Sequence, residues 1–429
     1  MRKNKLLFIS LFAGLMLNSV DVHAAKSTDN EANTYELLNL FGEVMERAKI
    51  SYVEEVTDKK LIESAINGML TSLDPHSSYL DAESFNYMSE QTKGKFGGLG
   101  IEVTMDNGLV KVVSPIDDTP AAKAGMKAGD YITHIDGETV VGMNLNEAVS
   151  KLRGKIGTKV KLSIRRINSK PIELTLKRQE IKIQSVKSDI KDDSISYIRI
   201  SSFTEDIDKA ITESVEKAQK QLKNKFLGIV IDVRNNPGGL LDQAVAVSDL
   251  FLEKGEIVST RSRHESDTDK FMATEGDIAK GLPIVVIINE GSASASEILA
   301  GALQDHHRAI ILGEKSFGKG SVQTVIPLRE YGAMRITTAR YYTPSGRSIQ
   351  AKGIEPDVEV KPAKVEELES YALNISEAEL NNALKNDNED NGNTEKKKAK
   401  SKEDLADYQL VRALDLVKAL ALYSKSSNN

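Results

Sequence analysis

The sequence predicts an α/β (α+β) protein built from several domains. Residues 181–290 alternate short apolar runs with amphipathic stretches, a pattern typical of a sheet covered by helices. Residues 94–180 contain short strands, glycine-rich turns and two brief helical stretches, as a small barrel would. Helical periodicity marks both ends of the chain, and 429 residues leave room for two or three cores.

Six segments follow from these patterns. They are a targeting segment (1–24), a helical segment (25–93), a small barrel (94–180), a strand–helix core (181–362), a polar linker (363–402) and a terminal helix (403–429). The linker is predicted from a run rich in Asn, Asp and Glu that is followed by a lysine-rich run. A tail that binds a specific partner is the alternative for this segment.

The first 24 residues have the three parts of a secretory signal peptide. Arg2, Lys3 and Lys5 form a basic start, Leu6–Leu17 is apolar, and Val22–Ala24 fits a small-x-small cleavage pattern. No cysteine follows, which excludes a lipoprotein anchor, and no later run reaches about 18 apolar residues. We therefore expect an exported protein of the periplasm. Secretion from the cell and retention of the segment as a membrane anchor are the alternatives.

Composition excludes several classes of chemistry. The chain has no cysteine, so disulfides, thiol nucleophiles and cysteine-ligated zinc are absent. Its formal net charge of -6 argues against a nucleic-acid partner. The sequence predicts neither a metal site nor a cofactor.

Both ends of the chain carry apolar helical stripes. Residues 34–72 predict two helices, the second capped by Thr57 and Asp58, and the helical pattern ends in Leu73–Leu80. The terminal helix, Glu403–Tyr423, has a stripe of its own. The two outermost stripes are Tyr35, Leu37, Leu38, Leu40, Phe41 and Val44, and Leu410, Leu414, Val417 and Ala421. Either a second subunit or the chain's own core must cover them, and we expect a homo-oligomer formed through the terminal helices.

The barrel begins with a glycine-rich loop, Gly98, Leu99, Gly100 and Ile101. Its expected strands are Leu109–Val113, Tyr131–Gly137 and, as the final one, Lys159–Arg165; its expected helices are Pro120–Asp130 and Asn144–Leu152. With the series SPxxxxPAxxAGxxxGD, these residues resemble a circularly permuted bacterial PDZ domain. The resemblance implies that free N–H groups of the loop bind a peptide's terminal carboxylate while the adjoining strand pairs with its backbone. A tight turn without a ligand is the alternative.

The core places glycines and serines at the ends of strands. Gly238 and Gly239 follow the predicted strand Leu227–Val233, at the carboxyl end where α/β folds bind ligands. Glycine there allows backbone N–H groups to approach a reacting carbonyl. The predicted strand Leu282–Ile288 leads into Ser292, Ser294 and Ser296, just before the predicted helix Glu297–Leu303. A serine in such a turn lies near free N–H groups and the positive end of a helix dipole, which favours a nucleophile and its oxyanion.

A serine nucleophile needs a base, and Lys319 is the best-placed candidate. It would have to be buried so that its pKa falls towards neutrality, and Gln323 could orient its amine without stabilising the charged form. A surface lysine in a glycine turn is the alternative. His76, the histidine with the clearest local motif, is equally explained as a turn residue. Gly313–Lys319 fits the start of a P-loop, but Gly320 and the strand predicted after it exclude a nucleotide site.

Six short sequence motifs together resemble those of the carboxyl-terminal processing, or tail-specific, proteases of the S41 serine peptidase family. They are LDPHSSYL, FGGLGIEV, DVRNNPGGLL, GSASASEILAGAL, GEKSFGKGSVQT and TTARYYTPSGRSIQ, and they span about residues 35–362. The resemblance implies a crotonase-like ββα core with an inserted PDZ domain. It further implies that Ser294 is the nucleophile, Lys319 the base and Gln323 its support. The oxyanion hole would use the N–H of Ala295 and that of either Gly238 or Gly239.

The same resemblance implies a serine endopeptidase that cleaves proteins from or near their C-terminal tails. The tail would be captured at Leu99–Ile101, and Arg153 would link occupancy of the PDZ domain to opening of the site. Protein substrates with free C-termini, and an adaptor or regulator protein, are the expected partners. A peptide-binding scaffold without proteolysis is the alternative, as is an exported hydrolase of another acyl substrate.

Overall fold

The computed structural model describes residues 28–116, 118–167, 169–364 and 407–427, so the predicted signal peptide and most of the predicted linker lie outside the described residues. The chain divides into two compact units between Met69 and Leu70. The first unit contains α1 (Thr28–Ser51), and α2 (Asp58–Thr71) spans the division. Thr57 Oγ1 accepts a hydrogen bond from Lys60 N at 3.3 Å, as expected for the cap of α2. The apolar stripe of α1 is exposed, at 45–70% of each side chain's surface.

The second unit begins with a strand, a helix and the PDZ-like barrel. Its first elements are β1 (Ser78–Leu80), α3 (Ala82–Lys93), β2 (Lys95–Gly98), β3 (Ile101–Asp106), β4 (Leu109–Pro115), α4 (Pro120–Lys123), β5 (Tyr131–Ile135), β6 (Glu138–Thr139), α5 (Leu145–Leu152), β7 (Lys159–Arg165), β8 (Ile172–Lys177) and β9 (Gln179–Lys182). An antiparallel sheet runs in the order β3-β4-β5-β7-β8, with β6 on β5. The separate pair β2–β9 carries the chain into and out of this sheet.

Local sequence explains these elements. Asn144 and Glu147 form a capping box that starts α5. In β7, Val160, Leu162 and Ile164 alternate with exposed or half-buried residues, so one face of the strand enters the barrel core.

The protease-like core follows. Its elements are β10 (Val186–Lys191), β11 (Ile195–Ile200), α6 (Ile207–Leu222), β12 (Gly228–Asp232), α7 (Leu241–Asp249), β13 (Gly255–Ser262), β14 (Asp269–Ala273), β15 (Ile284–Ile288), α8 (Ala295–Asp305), β16 (Ile310–Gly313), β17 (Ser321–Pro327), β18 (Ala333–Tyr342), β19 (Val358–Glu359) and α9 (Tyr408–Ser427). A six-stranded sheet runs β10-β11-β12-β15-β16-β19 and is parallel except for β10. In a second, antiparallel sheet, β18 pairs with β17 on one side and with β1 and β13 on the other, and β13 pairs with β14.

Both faces of the six-stranded sheet are covered. Helices α6, α7 and α8 share a core cluster with one face, and α9 packs on the other face against β12, β15 and β16. Every residue of β12 and β15 is buried, which accounts for their unbroken runs of mainly β-branched residues. The carboxyl ends of these two strands lead to the loop with Gly238 and Gly239 and to the turn with Ser294.

The structure corrects the expectation for the terminal helix. Its residues Leu414, Val417 and Ala421 are buried against the chain's own sheet, so this stripe is not available to a second subunit. Residues 403–406 of the predicted helix lie outside the described residues, and the helix continues past Tyr423 to Ser427.

Some predicted boundaries are also wrong. Lys159–Arg165 is not the last strand of the barrel, because β8 follows and pairs with β7 along its length. The sequence prediction also missed β1, α3, β10, β13 and β14. In β10, KSDIK lies at the edge of its sheet and is largely polar, so it lacks the apolar pattern that marks a strand. No helix in the described ranges combines the length and apolar composition needed to cross a bilayer.

We expect Leu414→Ala to lower the free energy of unfolding by about 2–5 kcal/mol, because a buried leucine is replaced by a cavity under α9. The matched change Leu422→Ala, on the exposed side of the same helix, should cost less than about 0.5 kcal/mol. Denaturant unfolding followed by far-UV circular dichroism measures both. Equal, small effects would show that α9 is not docked on the sheet.

Candidate active site

Ser294 occupies the N-cap position of α8, directly after β15 and its turn. Its backbone has φ 54° and ψ −111°, a conformation that costs free energy for a residue with a side chain. The Ser294 N–H donates to Glu297 Oε2 at 2.7 Å. The side chain is half-buried. A strained serine held at a helix start is typical of an exposed nucleophile.

The three serines of this turn differ in their hydroxyl bonds. Ser292 Oγ donates to Val233 O at 2.8 Å, and Ser296 Oγ donates to Asn236 O at 3.0 Å. Both side chains are fully buried, and both fasten the turn to the loop after β12. The hydrogen bonds of the described residues include none from Ser294 Oγ. Geometry therefore separates Ser294, whose hydroxyl donates to no other described residue, from two serines with structural roles.

A buried carboxylate joins Ser294 to the segment of Lys319. Glu297 is fully buried and accepts from Ser316 Oγ at 2.6 Å, Gly318 N at 2.7 Å and Lys319 N at 2.9 Å, in addition to Ser294 N. Burial raises the pKa of Glu297, and the hydrogen bonds from Ser316 and the backbone oppose this rise. Sequence reasoning missed this role, although Glu297 is the glutamate of the SASE motif.

Lys319 has the electrostatic surroundings of a base. Burial lowers its pKa, the nearby Arg335 guanidinium lowers it further, and Glu297 opposes both. No hydrogen bond joins Lys319 Nζ to Ser294 Oγ. Gln323 does not contact the amine either, because its Nε2 donates to Ser321 Oγ at 2.9 Å and to Thr337 Oγ1 at 3.4 Å. The structure thus places the three predicted residues in one region without joining their functional groups.

Two backbone N–H groups beside Ser294 have no partner among the described residues, those of Ala295 and Gly239. The N–H of Gly238 instead donates to Asn236 Oδ1 at 2.9 Å. A Cβ at Gly238 would lie 2.8 Å from Ser294 Cβ and 3.0 Å from Ala295 N, so this loop lies directly against the serine turn. Of the two glycines that the sequence left open, Gly239 has the N–H that can donate to an oxyanion.

Among the described residues, neither His76 nor His306 is hydrogen-bonded to Ser294 Oγ. His76 precedes β1, and its carbonyl accepts from Arg335 Nε at 3.0 Å. Burial and the charge of Lys319 lower the pKa of the His76 imidazole. His306 is half-buried, and its Nε2 lies 2.7 Å from Glu256 O. It ends α8, at the opposite end of the helix from Ser294.

The predicted peptide-binding loop lines a groove of about 220 Å³ in the PDZ-like barrel. The groove is bounded by Phe96, Gly98, Leu99, Gly100, Ile101, Val103, Val149, Leu152 and Arg153. No hydrogen bond of the described residues uses the Leu99 or Gly100 N–H, whereas their carbonyls accept from Ala121 N and Ile116 N. The loop therefore has the free donors that a carboxylate requires.

Arg153 lies between this groove and a larger cavity. Its guanidinium lies 4.1 Å from the ring centre of Phe96 and 5.4 Å from that of Tyr87, and its buried Nη1 has no hydrogen-bond partner. The larger cavity, of about 970 Å³, shares Val149 and Arg153 with the groove and is also lined by Arg335. Arg335 also lowers the pKa of Lys319, so one residue of the larger cavity acts on the lysine.

The described residues contain no group of three or more His, Asp or Glu side chains arranged to hold a metal ion.

Comparison with known proteins assigns the family. The model of peptidase family S41 matches residues 194–360, that of the PDZ domain residues 111–166, and that of the N-terminal domain of the activating protease CtpB residues 10–84. A carboxy-terminal-processing protease of Bartonella bacilliformis is 53% identical over 381 residues, which cover 88% of each chain. The carboxy-terminal processing protease CtpA of Bacillus subtilis is 36% identical, over 84% of this chain and 78% of the relative.

The solved photosystem II D1 C-terminal processing protease is 31% identical, with a TM-score of 0.46, over 74% of this chain and 86% of that one. The predicted fold class, a mixed α/β core with an inserted PDZ domain and helical ends, is confirmed. The chain belongs to peptidase family S41, among the carboxy-terminal-processing serine proteases.

Proposed function

We propose that the protein is an exported endopeptidase with a Ser294–Lys319 dyad, which cleaves proteins from or near their C-terminal tails. The observation that carries the proposal is the turn around Glu297. One buried carboxylate binds the backbone N–H groups of Ser294 and Lys319, beside the free N–H groups of Ala295 and Gly239. Nucleophile, base and oxyanion donors thereby come from three segments that meet at one point.

In the proposed reaction, neutral Lys319 takes the proton of Ser294 Oγ, and the oxygen attacks the peptide carbonyl carbon. The resulting oxyanion accepts from the N–H groups of Ala295 and Gly239. As the C–N bond breaks, protonated Lys319 returns its proton to the leaving amine, and an acyl-enzyme remains. Water then attacks the ester with Lys319 as base, which releases the new C-terminus and restores Ser294.

This reaction requires a local movement of the lysine. Its amine and the Ser294 hydroxyl are not hydrogen-bonded here, and catalytic hydrogen bonds are often formed only when a substrate is bound. The flexible four-carbon stem of Lys319 can change rotamer while the backbone stays fixed by Glu297. Gln323 is proposed to exchange its bonds with Ser321 and Thr337 for one to the amine, and so to hold it without favouring its charged form.

Substrate binding is proposed to use the PDZ groove. The tail's carboxylate would accept from the Leu99 and Gly100 N–H groups, and its backbone would extend along the strand that begins at Ile101. Gly98 lets the Phe96 ring pack against the loop, since a Cβ there would lie 2.7 Å from the ring. Arg153 lines both the groove and the larger cavity, and it is proposed to move in the larger cavity when a tail occupies the groove.

Location and assembly complete the proposal. The predicted signal peptide supports export to the periplasm. The exposed apolar stripe of α1 supports a homo-oligomer through this helix, in place of the terminal helix α9. An adaptor or regulator protein would be a further partner.

We expect Ser294→Ala to reduce the cleavage rate by about 10³-fold or more, because it removes the nucleophile. The matched change Ser292→Ala should leave the rate within about tenfold, since it removes only structural hydrogen bonds with Val233 and Asn289. The measurement is cleavage of an unfolded reporter with an apolar C-terminus by the chain without residues 1–24, followed by mass spectrometry. Equal activity of Ser294→Ala and wild type would refute the dyad, and inactivity of the wild type would favour the peptide-binding scaffold.

We expect Arg335→Gln to move the acid limb of the pH–kcat/KM profile to higher pH. Removal of a positive neighbour stabilises protonated Lys319, so its pKa rises and a higher pH is needed to form the neutral base. Glu297, the other charged group that acts on Lys319, is unchanged in this variant, whereas the pKa of His76, which Arg335 also lowers, should rise as well. Arg340→Gln, at an exposed position of the same strand, is the control and should leave the profile in place. A shift to lower pH, or none, would contradict the assignment of Lys319 as the base.

We expect a reporter whose C-terminus is amidated to have a KM at least about tenfold higher than the free acid, because the amide loses the charge that the loop N–H groups bind. The kcat should change less. A short peptide that ends in the same apolar residues should compete with the free-acid reporter, whereas its amide should not. Equal KM values for the two reporters would remove the PDZ groove from tail recognition.

A further inference from the structure

The loop that carries Gly239 is fastened on two sides. Towards α8, Val233 and Asn236 accept hydrogen bonds from Ser292, Ala293 and Ser296. On the other side, Arg234 extends to the start of the C-terminal helix α9. This second attachment has no part in the catalytic mechanism described above.

Arg234 binds two carboxylates at once. Its Nη1 and Nη2 donate to the two oxygens of Asp407 at 2.8 and 2.6 Å, which is a bidentate pair. Its Nη2 and Nε also donate to Asp232 at 2.7 and 3.1 Å, and Nη1 donates to Gln409 Oε1 at 3.1 Å. The Arg234 side chain is only 16% exposed, so this is a largely desolvated network.

The charged groups of this network stabilise one another. Asp232 is buried and also accepts from the Tyr197 hydroxyl at 2.8 Å, with Arg199 at 3.7 Å. Partial burial opposes ionisation of Asp407, but the hydrogen bonds and charge of Arg234 hold its pKa below the usual value. Removal of the Asp407 charge would leave part of a buried guanidinium without its partner, which is costly.

Asp407 also starts the helix that supports the catalytic strands. Its Oδ1 accepts from Leu410 N at 3.1 Å and its carbonyl accepts from Val411 N, so it caps α9. The helix packs on β12 and β15, the strands that lead to Gly239 and to Ser294. Asp407 thereby lies at the start of a helix that packs on both strands. Through Arg234 it also connects this helix with the loop that contains Gly239.

We propose that Asp407 and Arg234 form a positioning pair, through which the C-terminal helix fixes the loop so that the Gly239 N–H is directed at the oxyanion. Neither side chain touches the substrate, and both act through the backbone of residues 234–239. The inference rests on the proposed function, since it assigns this loop to the oxyanion hole.

The test compares Asp407→Asn and Asp407→Glu with Lys418→Gln. Asparagine keeps a capping oxygen but loses the charge, glutamate keeps the charge, and Lys418 makes an ion pair with Asp192 farther along the same helix. We expect Asp407→Asn to lower kcat about tenfold or more, as expected for a displaced oxyanion donor, with KM within about twofold. Asp407→Glu should recover part of the loss, and Lys418→Gln should behave as wild type.

Inhibition by a peptide aldehyde provides the readout that separates positioning from general destabilisation. The aldehyde forms a tetrahedral adduct with the serine, so its affinity depends on the oxyanion donors, whereas a peptide with a free C-terminus tests the groove alone. We expect Asp407→Asn to weaken the aldehyde in proportion to its loss of kcat and to leave peptide binding and the pH profile unchanged. If kcat falls only through a smaller active fraction, with aldehyde affinity intact, the pair has a structural role and the inference is wrong.

Different experimental results would refute the inference and the proposed function. If Ser294→Ala retains activity, or the aldehyde does not inhibit wild type, the proposed function is wrong and the inference fails with it. If wild type is inhibited, Ser294→Ala is inactive and Asp407→Asn matches Lys418→Gln in every measurement, only the positioning pair is refuted.

Discussion

The carboxylate of Glu297 is the interaction on which the site depends. Burial of an ionisable group is costly, and here the cost is offset by four donors: the Ser316 hydroxyl and the N–H groups of Ser294, Gly318 and Lys319. These donors come from the start of α8 and from the loop between β16 and β17. A single group therefore fixes the backbone of the proposed nucleophile relative to that of the proposed base, while neither side chain donates a hydrogen bond to another described residue.

The sheet supplies the remaining geometry. Because β12 and β15 are adjacent and parallel, their carboxyl ends meet at one edge, and the loop with Gly239 lies beside the turn with Ser294. Hydrogen bonds from Ser292 and Ser296 hold this contact from one side. The serines on either side of the proposed nucleophile are thus part of the scaffold that presents it. Their hydroxyls donate to backbone carbonyls, whereas the Ser294 hydroxyl donates to no other described residue.

Sequence patterns sufficed for the fold class, the helix Ile207–Leu222 and the strands around the site, because each carries a strong apolar period or a glycine-rich turn. They could not select Gly239 over Gly238, since that choice depends on a hydrogen bond from the Gly238 N–H to Asn236 Oδ1. The role of Asp407 was equally hidden. Its partner Arg234 lies far away in the chain, and a lone Asp after a polar segment has no local signature.

The lowered pKa of Lys319 depends in part on Arg335, which lines the same cavity as Arg153 of the PDZ-like barrel. Neither the burial of Lys319 nor the nearness of Arg335 is encoded in the FGKG motif. Arg335 belongs to β18 and lines the larger cavity. That cavity is also lined by Arg153 from the PDZ-like barrel. A ligand in this cavity would change the surroundings of Arg335, whose charge is one cause of the lowered Lys319 pKa. The proposed coupling between tail binding and catalysis then needs no direct contact between the groove and Ser294, because Arg335 both lines the cavity and acts on the amine of Lys319.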